Sequence, residues 1–347
     1  MHLKLTTLCV AATLAATSVA EAADNSTPKA APVKIIFDTD IGNDVDDVLA
    51  LSVIHALQTR GECELLGVTI TKPDELAGPF VDALNTFYGR PGIPIGFTHA
   101  GLKNEPSKYL PLVAVKDGAQ FRYPHVLLRS SDAPAATQVL RTLLSGQSDH
   151  SVVVIQTGFF SNLAALLDTP ADNLSPLAGR ELVKRKVRLL SVMAGAFQTI
   201  ESNNHYCEYN VINDIPAAQK VARDWPSPIV WSGFEIGVAV PYPAASIERD
   251  FSYVPHHIAA EAYYWYKPPP HCRPCWDLTS ALYGIRPDRD YFGLSAAGRV
   301  SIGEDGFASF MVAENGRDHF LTVNEAQAVR VKEALVQLVS QPPQAGK

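Results

Sequence analysis

Apolar positions along the chain fall into two alternating textures. Short continuous runs rich in Val, Ile and Leu occur at Val33–Phe37 (VKIIF), Glu64–Thr71 (ELLGVTIT), Ile93–Phe97, Ser151–Gln156 (SVVVIQ), Val187–Met193 and Ile229–Trp231. Runs of this length without polar alternation predict strands buried on both faces. Between them, apolar residues recur at three- and four-residue intervals. Asp46 to Leu57 carries Val48, Leu49, Leu51, Val53 and Ile54 behind an acidic first turn, which predicts a helix. Similar patterning predicts helices over 76–88, 134–145, 162–167, 214–223, 256–267 and 277–285. The stretch 98–132 is irregular and carries Pro, Gly and charge. Loops of that length in a compact domain are often functional. After Asp290, Gly298, Gly303, Gly306 and Gly316 punctuate three short strand-like runs, and an amphipathic helix follows over 324–339.

This order predicts an α/β fold: a mostly parallel sheet with helices on both faces, plus a small C-terminal antiparallel appendage. No repeat or composition shift marks a second domain, so 33–340 reads as one domain. The N-terminus is patterned differently. Lys4 precedes the Ala-rich apolar run Leu5–Ala20, and Ala20-Glu21-Ala22 fits a small-x-small cleavage site. Residues 1–22 therefore read as a signal peptide, too short and too rich in Ala and Thr for a membrane span. Residues 23–32 (ADNSTPKAAP) read as a linker. The expectation is an exported chain, periplasmic or secreted, with no membrane attachment after cleavage.

Composition narrows the classes. A chain of 347 residues with 47% hydrophobic content can bury a sizeable core. Net charge is −7 and the basic residues are scattered, which excludes the footprint of a nucleic-acid binder. Beyond the leader, the cysteines are Cys63, Cys207, Cys272 and Cys275. An oxidising compartment would let Cys272-x-x-Cys275 close a small disulfide; Cys63 and Cys207 read as free, buried thiols.

The densest chemistry lies at Asp38–Asp47 (DTDIGNDVDD), where Asp38, Asp40, Asp44, Asp46 and Asp47 fall within ten residues. Asp38 and Asp40 follow the first predicted strand, at the carboxyl edge where open α/β sheets bind ligands. Carboxylates this crowded repel one another unless something neutralises them. A hard divalent cation with oxygen ligands, Ca²⁺ or Mg²⁺, is the natural solution. Helix capping accounts for Asp46 and Asp47 but not for Asp38 and Asp40. The loop spacing and terminal Glu of an EF-hand are missing.

FDTDIGNDVDDVLAL resembles the opening motif of the inosine/uridine-preferring nucleoside hydrolase family. Three further segments match that family in order. Thr157-Gly158-Phe159-Phe160-Ser161-Asn162 resembles its T-G-x-x-T-N loop. Glu208-Tyr209-Asn210 followed by Asp214 resembles its E-F-N segment. Trp276-Asp277 resembles its late H-D motif. The resemblance implies a Rossmann-like nucleoside hydrolase fold and a homo-oligomer. It implies Ca²⁺-dependent hydrolysis of the N-glycosidic bond of purine or pyrimidine ribonucleosides, releasing base and ribose. The small-molecule ribonucleoside is then the partner, with no nucleic acid involved.

Carried over residue by residue, the resemblance places Ca²⁺ on Asp40, Asp47, the Thr157 carbonyl and Asp277. Asp40 doubles as the general base for a water whose acidity the cation raises. Asp46 accepts from a ribose hydroxyl, Glu208 and Asn210 bind ribose with Asn203 or Asn204 nearby, and Asp38 orients Asp40 or its loop. Asn162 reads as a helix cap. Asp44 is an alternative ligand. Thr71-Lys72 stands where the family has Gly-Asn. Trp276, a candidate substrate-binding residue, stands where many members place the His that protonates the leaving base, and indole carries no titrating proton, so either another group acts as acid or the base leaves through aromatic stacking and solvent. His205, His256, His257 and His271 are replacement candidates, and Tyr263-Tyr264-Trp265-Tyr266 is a candidate wall for the base. Two other readings compete: a metal-stabilised nucleoside or sugar binder without turnover, and an aspartyl-phosphate phosphatase, in which the T-G-x-x-S-N and E-Y-N segments have no role.

Overall fold

The computed structural model describes residues 31–98, 102 and 105–343. The signal peptide expected at 1–22 and nearly all of the linker lie outside the described residues. The first six strands of the main sheet are β1 (Val33–Thr39), β2 (Cys63–Ile70), β3 (Ile95–Phe97), β4 (Val152–Gln156), β5 (Val187–Met193) and β6 (Ile229–Ser232). They lie side by side in the order β3-β2-β1-β4-β5-β6, all parallel. Four more follow: β7 (Gly293–Leu294), β8 (Gly298–Ile302), β9 (Ala308–Val312) and β10 (Asp318–Thr322). β10 pairs with β6 in parallel, while β7 and β8 pair with β10, and β9 with β8, antiparallel. The expected antiparallel strands are thus stitched into the main sheet through β10.

The buried runs explain the two helical layers. Successive side chains of a strand point to opposite faces. Ile35 and Phe37 of β1, with Val153 and Ile155 of β4, face one core; Ile36, Val152 and Val154 face the other. Helices Asp46–Thr59, Ala77–Phe87, Ile258–Tyr266, Trp276–Ile285 and Glu325–Val339 cover the first face. Helices Ala136–Ser145, Ser161–Asp168, Gly179–Lys186 and Ile215–Asp224 cover the second. Asp46–Thr59 is buried from Asp46 through Leu57, as a helix apolar all round must be. Helix Glu325–Val339 begins with a capping box between Asn324 and Gln327.

Three expectations change. β1 runs two residues further than the apolar run, so Asp38 lies within the strand and pairs with Thr69 and Gln156. Helix Gly179–Lys186 (GRELVKRK) escapes the periodicity because only Gly179, Leu182 and Val183 in it are buried. Cys272, exposed, and Cys275, buried, are free thiols rather than a disulfide; Cys63 is a buried free thiol, and Cys207 is free but only half-buried. Within the irregular stretch, residues 105–132 fold back on the core through Tyr109, Leu110 and Leu112, which are fully buried.

The strand order reverses between β1 and β4. Crevices at such switch points, outside the carboxyl ends of the strands, are where doubly wound sheets bind ligands. The Thr157 N–H donates to the Asp38 carbonyl at 2.7 Å, which brings the segments after β1 and β4 together there.

Candidate active site

A cavity of about 390 Å³ opens at this switch point. Its floor is acidic. Carboxylate oxygens of Asp46, Asp47 and Asp277 lie within 4.8 Å of one another, and all three residues are buried. Asp46 and Asp47 occupy the first turn of helix Asp46–Thr59, and Asp277 the first turn of helix Trp276–Ile285. Two helix N-termini therefore point their positive dipole ends at one acidic cluster. The Asp277 N–H donates to Asp46 Oδ2 at 3.1 Å. Asp47 Oδ1 accepts from the Thr39 hydroxyl and, at 3.4 Å, from the Thr157 hydroxyl.

Burial first, and then the charges of its neighbours, hold each of these three carboxyls well above the usual carboxylate range. Asp40 lines the same cavity, 4% exposed. Burial pushes it up to about 6, against the Asn43 hydrogen bond and the Lys72 charge that pull it down. Asn43 Nδ2 donates to Asp40 Oδ2 at 2.6 Å, and Lys72 Nζ donates to Asn43 Oδ1 at 2.6 Å and to the Glu105 carbonyl at 2.6 Å. Lys72 thus supports Asp40 through Asn43, which the sequence did not signal. The donor set is hard oxygen, buried and mutually repelling, and it fits a hard divalent cation.

The walls divide the sequence candidates. Glu208 lines the cavity, but its carboxylate accepts from the backbone N–H groups of Asn210 (2.9 Å), Gly195 (3.2 Å) and Val211 (3.3 Å), and burial pushes it up to about 7. Asn210 donates to the carbonyls of Thr157 (2.9 Å) and Met193 (3.1 Å). Asn204 is exposed and does not line the cavity. Asp38 does not line it either. Its side chain accepts from Thr69 (2.5 Å) and Asn162 (2.8 Å), anchoring the end of β1 to β2 and to helix Ser161–Asp168. Asn162 is accordingly a partner of Asp38; the N-cap of that helix is Phe160, without a side-chain cap.

A family model described as "Inosine-uridine preferring nucleoside hydrolase" matches residues 35–334. The chain belongs to this family. It is therefore a nucleoside N-glycosyl hydrolase by membership. A search of curated protein sequences returns no match. Among solved structures, a plant nucleoside hydrolase is 19% identical, covering 90% of this chain and 100% of its own, with a TM-score of 0.66. An inosine-uridine preferring nucleoside hydrolase from Bacillus anthracis is 18% identical over 88% of this chain and 99% of its own, with a TM-score of 0.65. A purine-preferring ribonucleoside hydrolase from Gardnerella vaginalis has the same 18% identity, 88% and 99% coverage and TM-score of 0.65. At these identities the structures establish a shared fold.

The rim of the hydrolase cavity holds what the motifs left open. Trp276 lines it, and its indole N–H donates to the Phe234 carbonyl at 2.9 Å. The indole lies on Gly237, where an added Cβ would fall 2.1 Å from a ring carbon. Of the run Tyr263–Tyr266, only Tyr266 reaches the cavity; Tyr263 is in the core, and Tyr264 and Trp265 face solvent. None of the four candidate histidines lines it. His257 is buried among the rings of Phe87, Phe251 and Tyr253, and His271 stacks on Tyr263. His205 and His256 pair with Asp305 (2.6 Å) and Glu261 (2.5 Å).

Arg273 was missed. It lines the cavity with its guanidinium 4.9 Å from the Trp276 ring centre and 5.1 Å from that of Tyr266. Its Nε donates to Asp44 Oδ1 at 2.8 Å and its Nη2 to Asp44 Oδ2. Asp44 is thereby committed to Arg273 and is not free to serve as the alternative cation ligand. In the sequence, Arg273 is hidden inside Cys272-x-x-Cys275, a spacing that drew attention to sulfur.

Proposed function

We propose that this protein hydrolyses the N-glycosidic bond of ribonucleosides with a Ca²⁺ ion held on the acidic floor. The observation that carries the reading is the convergence of Asp46, Asp47 and Asp277 from two helix N-termini beneath the switch-point cavity. Asp40, Asp47, Asp277 and the Thr157 carbonyl would hold the ion, with Asp46 beside them. Such a cation supplies Lewis acidity and offsets the repulsion among the carboxylates.

The chain's own groups supply the rest. Asp40 takes a proton from the attacking water, its carboxylate aimed by Asn43 and biased toward the ionised form by Lys72. Asp46 accepts from a ribose hydroxyl. The remaining lone pairs of Glu208, and Asn210 Oδ1, which has no donor among the described residues, receive others. Positive charge builds on the ribose ring as the bond lengthens, and the surrounding carboxylates favour it electrostatically. The test is incubation with inosine, guanosine, adenosine and uridine, with and without chelator and added Ca²⁺, reading reducing sugar. Ribose release that chelation abolishes and Ca²⁺ restores is expected; no release from any ribonucleoside overturns the reading.

Export rests on the pattern of residues 1–22 and is a separate proposal. N-terminal sequencing of protein from the periplasmic or secreted fraction should begin at Ala23. A mature cytosolic protein would remove it. Assembly as a homo-oligomer rests on the family likeness and is read by light scattering.

A further inference from the structure

We infer that Arg273 receives the departing base: clamped by Asp44 and stacked with Tyr266 and Trp276, it hydrogen-bonds the acceptor edge of a 6-oxopurine and stabilises the charge that builds there. This rests on the hydrolase reading and adds to it the leaving-group residue and the substrate class.

When the C1′–N9 bond breaks, its electron pair goes to the base, which leaves as an anion. The water oxygen bonds C1′, the water proton goes to Asp40, and the base anion takes a proton from solvent after it departs. A site that drives this step needs a cation or an acid at the base. No histidine lines the cavity among the described residues, and the Trp276 N–H is already donated to Phe234. Lys72 is committed to Asn43 and Glu105, beneath Asp40. Lys108 lines the cavity but is exposed, where solvent screens its charge. Arg273 is the remaining cavity-lining cation, and its side chain is 22% exposed.

Its hydrogen bonds leave one edge open. Asp44 takes the Nε–Nη2 edge, and Nη1 has no hydrogen-bond partner among the described residues. The Nη1–Nη2 edge therefore offers parallel donors on a planar group that already lies against two rings. That spacing matches the adjacent N7 and O6 acceptors of hypoxanthine or guanine. Adenine presents an amino donor in place of O6, so one Arg273 donor would face another donor. Asp44 has a second role. An unclamped guanidinium beside the carboxylate floor would swing onto Asp46, Asp47 and Asp277; the ion pair to Asp44 keeps it on the rim.

The test compares inosine, adenosine and p-nitrophenyl riboside, whose nitrophenolate leaves without help. Arg273→Met is expected to lower kcat/KM on inosine by about 100-fold, the loss typical of one charge-stabilising donor. Losses of only a few-fold are expected on the other two substrates, so that the inosine-to-adenosine ratio falls at least about tenfold. Arg273→Lys, which keeps the charge without the fork, should recover part of the inosine loss. Melting curves with and without Ca²⁺ check that the variants fold and keep the floor. Equal losses on all three substrates, or none on inosine, overturn the inference while leaving the hydrolase reading intact. A wild type silent on all three, the activated riboside included, sinks both.

Discussion

The floor and the rim of the cavity are built on opposite principles. The floor is four buried carboxyl groups, Asp40, Asp46, Asp47 and Asp277, crowded until each resists ionisation. It is tied to the sheet through Thr39 and Thr157 and sits on two helix N-termini. The rim is three rings and an ion pair: Phe234, Tyr266, Trp276 and Arg273 with Asp44. Its parts hold mainly one another, and a two-residue ladder between Pro241–Tyr242 and Arg273–Pro274 joins their segments. The difference explains how tryptophan can occupy Trp276 without disturbing the acidic site. The side-chain contacts of Trp276 recorded here, with Phe234, Gly237 and Arg273, all belong to the rim.

If the chemistry lies on the floor, Asp40→Asn should have the largest effect. Ribose release should fall by roughly 10³, within the range for loss of a general base, at a melting temperature no lower than that of wild type without Ca²⁺. An activity within a few-fold of wild type would remove Asp40 from its role. Next comes the cation. At a Ca²⁺ concentration about 100 times its dissociation constant, binding should stabilise the wild type by about 2.7 kcal/mol, read as a shift in melting temperature. Asp47→Asn should abolish that shift. Without Ca²⁺ the same variant should melt no lower than wild type, because it removes one of the mutually repelling carboxyls. A retained Ca²⁺ shift would mean the ion binds elsewhere.

The rim should yield without the floor. Gly237→Ala places a methyl group against the indole. KM for nucleosides should rise about tenfold, the cost of a mispositioned contact worth about 1.4 kcal/mol. The Ca²⁺-induced shift should not change. Loss of that shift would show floor and rim to be one mechanical unit.

The last prediction concerns acid. His257 precedes helix Ile258–Tyr266, whose last residue is on the rim, and burial holds its imidazole down at about 3. The folded state keeps it neutral while the unfolded chain takes a proton below about 6.5. Its contribution to stability is therefore intact above pH 6.5 and declines as pH falls toward 3. His257→Phe should gain about 2 kcal/mol at pH 5 relative to the same comparison at pH 8. Chemical denaturation at the two pH values reads this; a pH-independent difference would contradict it.

Much of the fold was legible because buried parallel strands announce themselves. β5 begins and ends where the apolar run Val187–Met193 does. Helix Gly179–Lys186 was not legible, since its charged sequence buries too few residues to leave a period. In the site, the carboxylate segment and the order of the four motifs marked Asp40, Asp46, Asp47, Thr157, Glu208, Asn210, Trp276 and Asp277, and all eight line one cavity. Asn204 was placed by proximity in sequence to Glu208, and the turn between them carries it outward to solvent. Asp38 was read as a loop residue because the apolar run ends at Phe37, but backbone pairing to Thr69 and Gln156 continues past it.

The sequence by itself determined the alternation of strands and helices, the crowding of acids after β1 and the family to which the chain belongs. These are encoded in periodicity and in short motifs, which near neighbours along the chain suffice to define. Tertiary structure alone decided which carboxylates converge and which turn away. Asp44 differs little in sequence from its neighbours, yet it pairs with Arg273, 229 residues later, while Asp46 and Asp47 meet Asp277. That partition follows from the reversal of strand order between β1 and β4 and from the packing of two helix N-termini against each other's acids. It depends on where segments more than 200 residues apart are delivered in space, information that no local pattern carries.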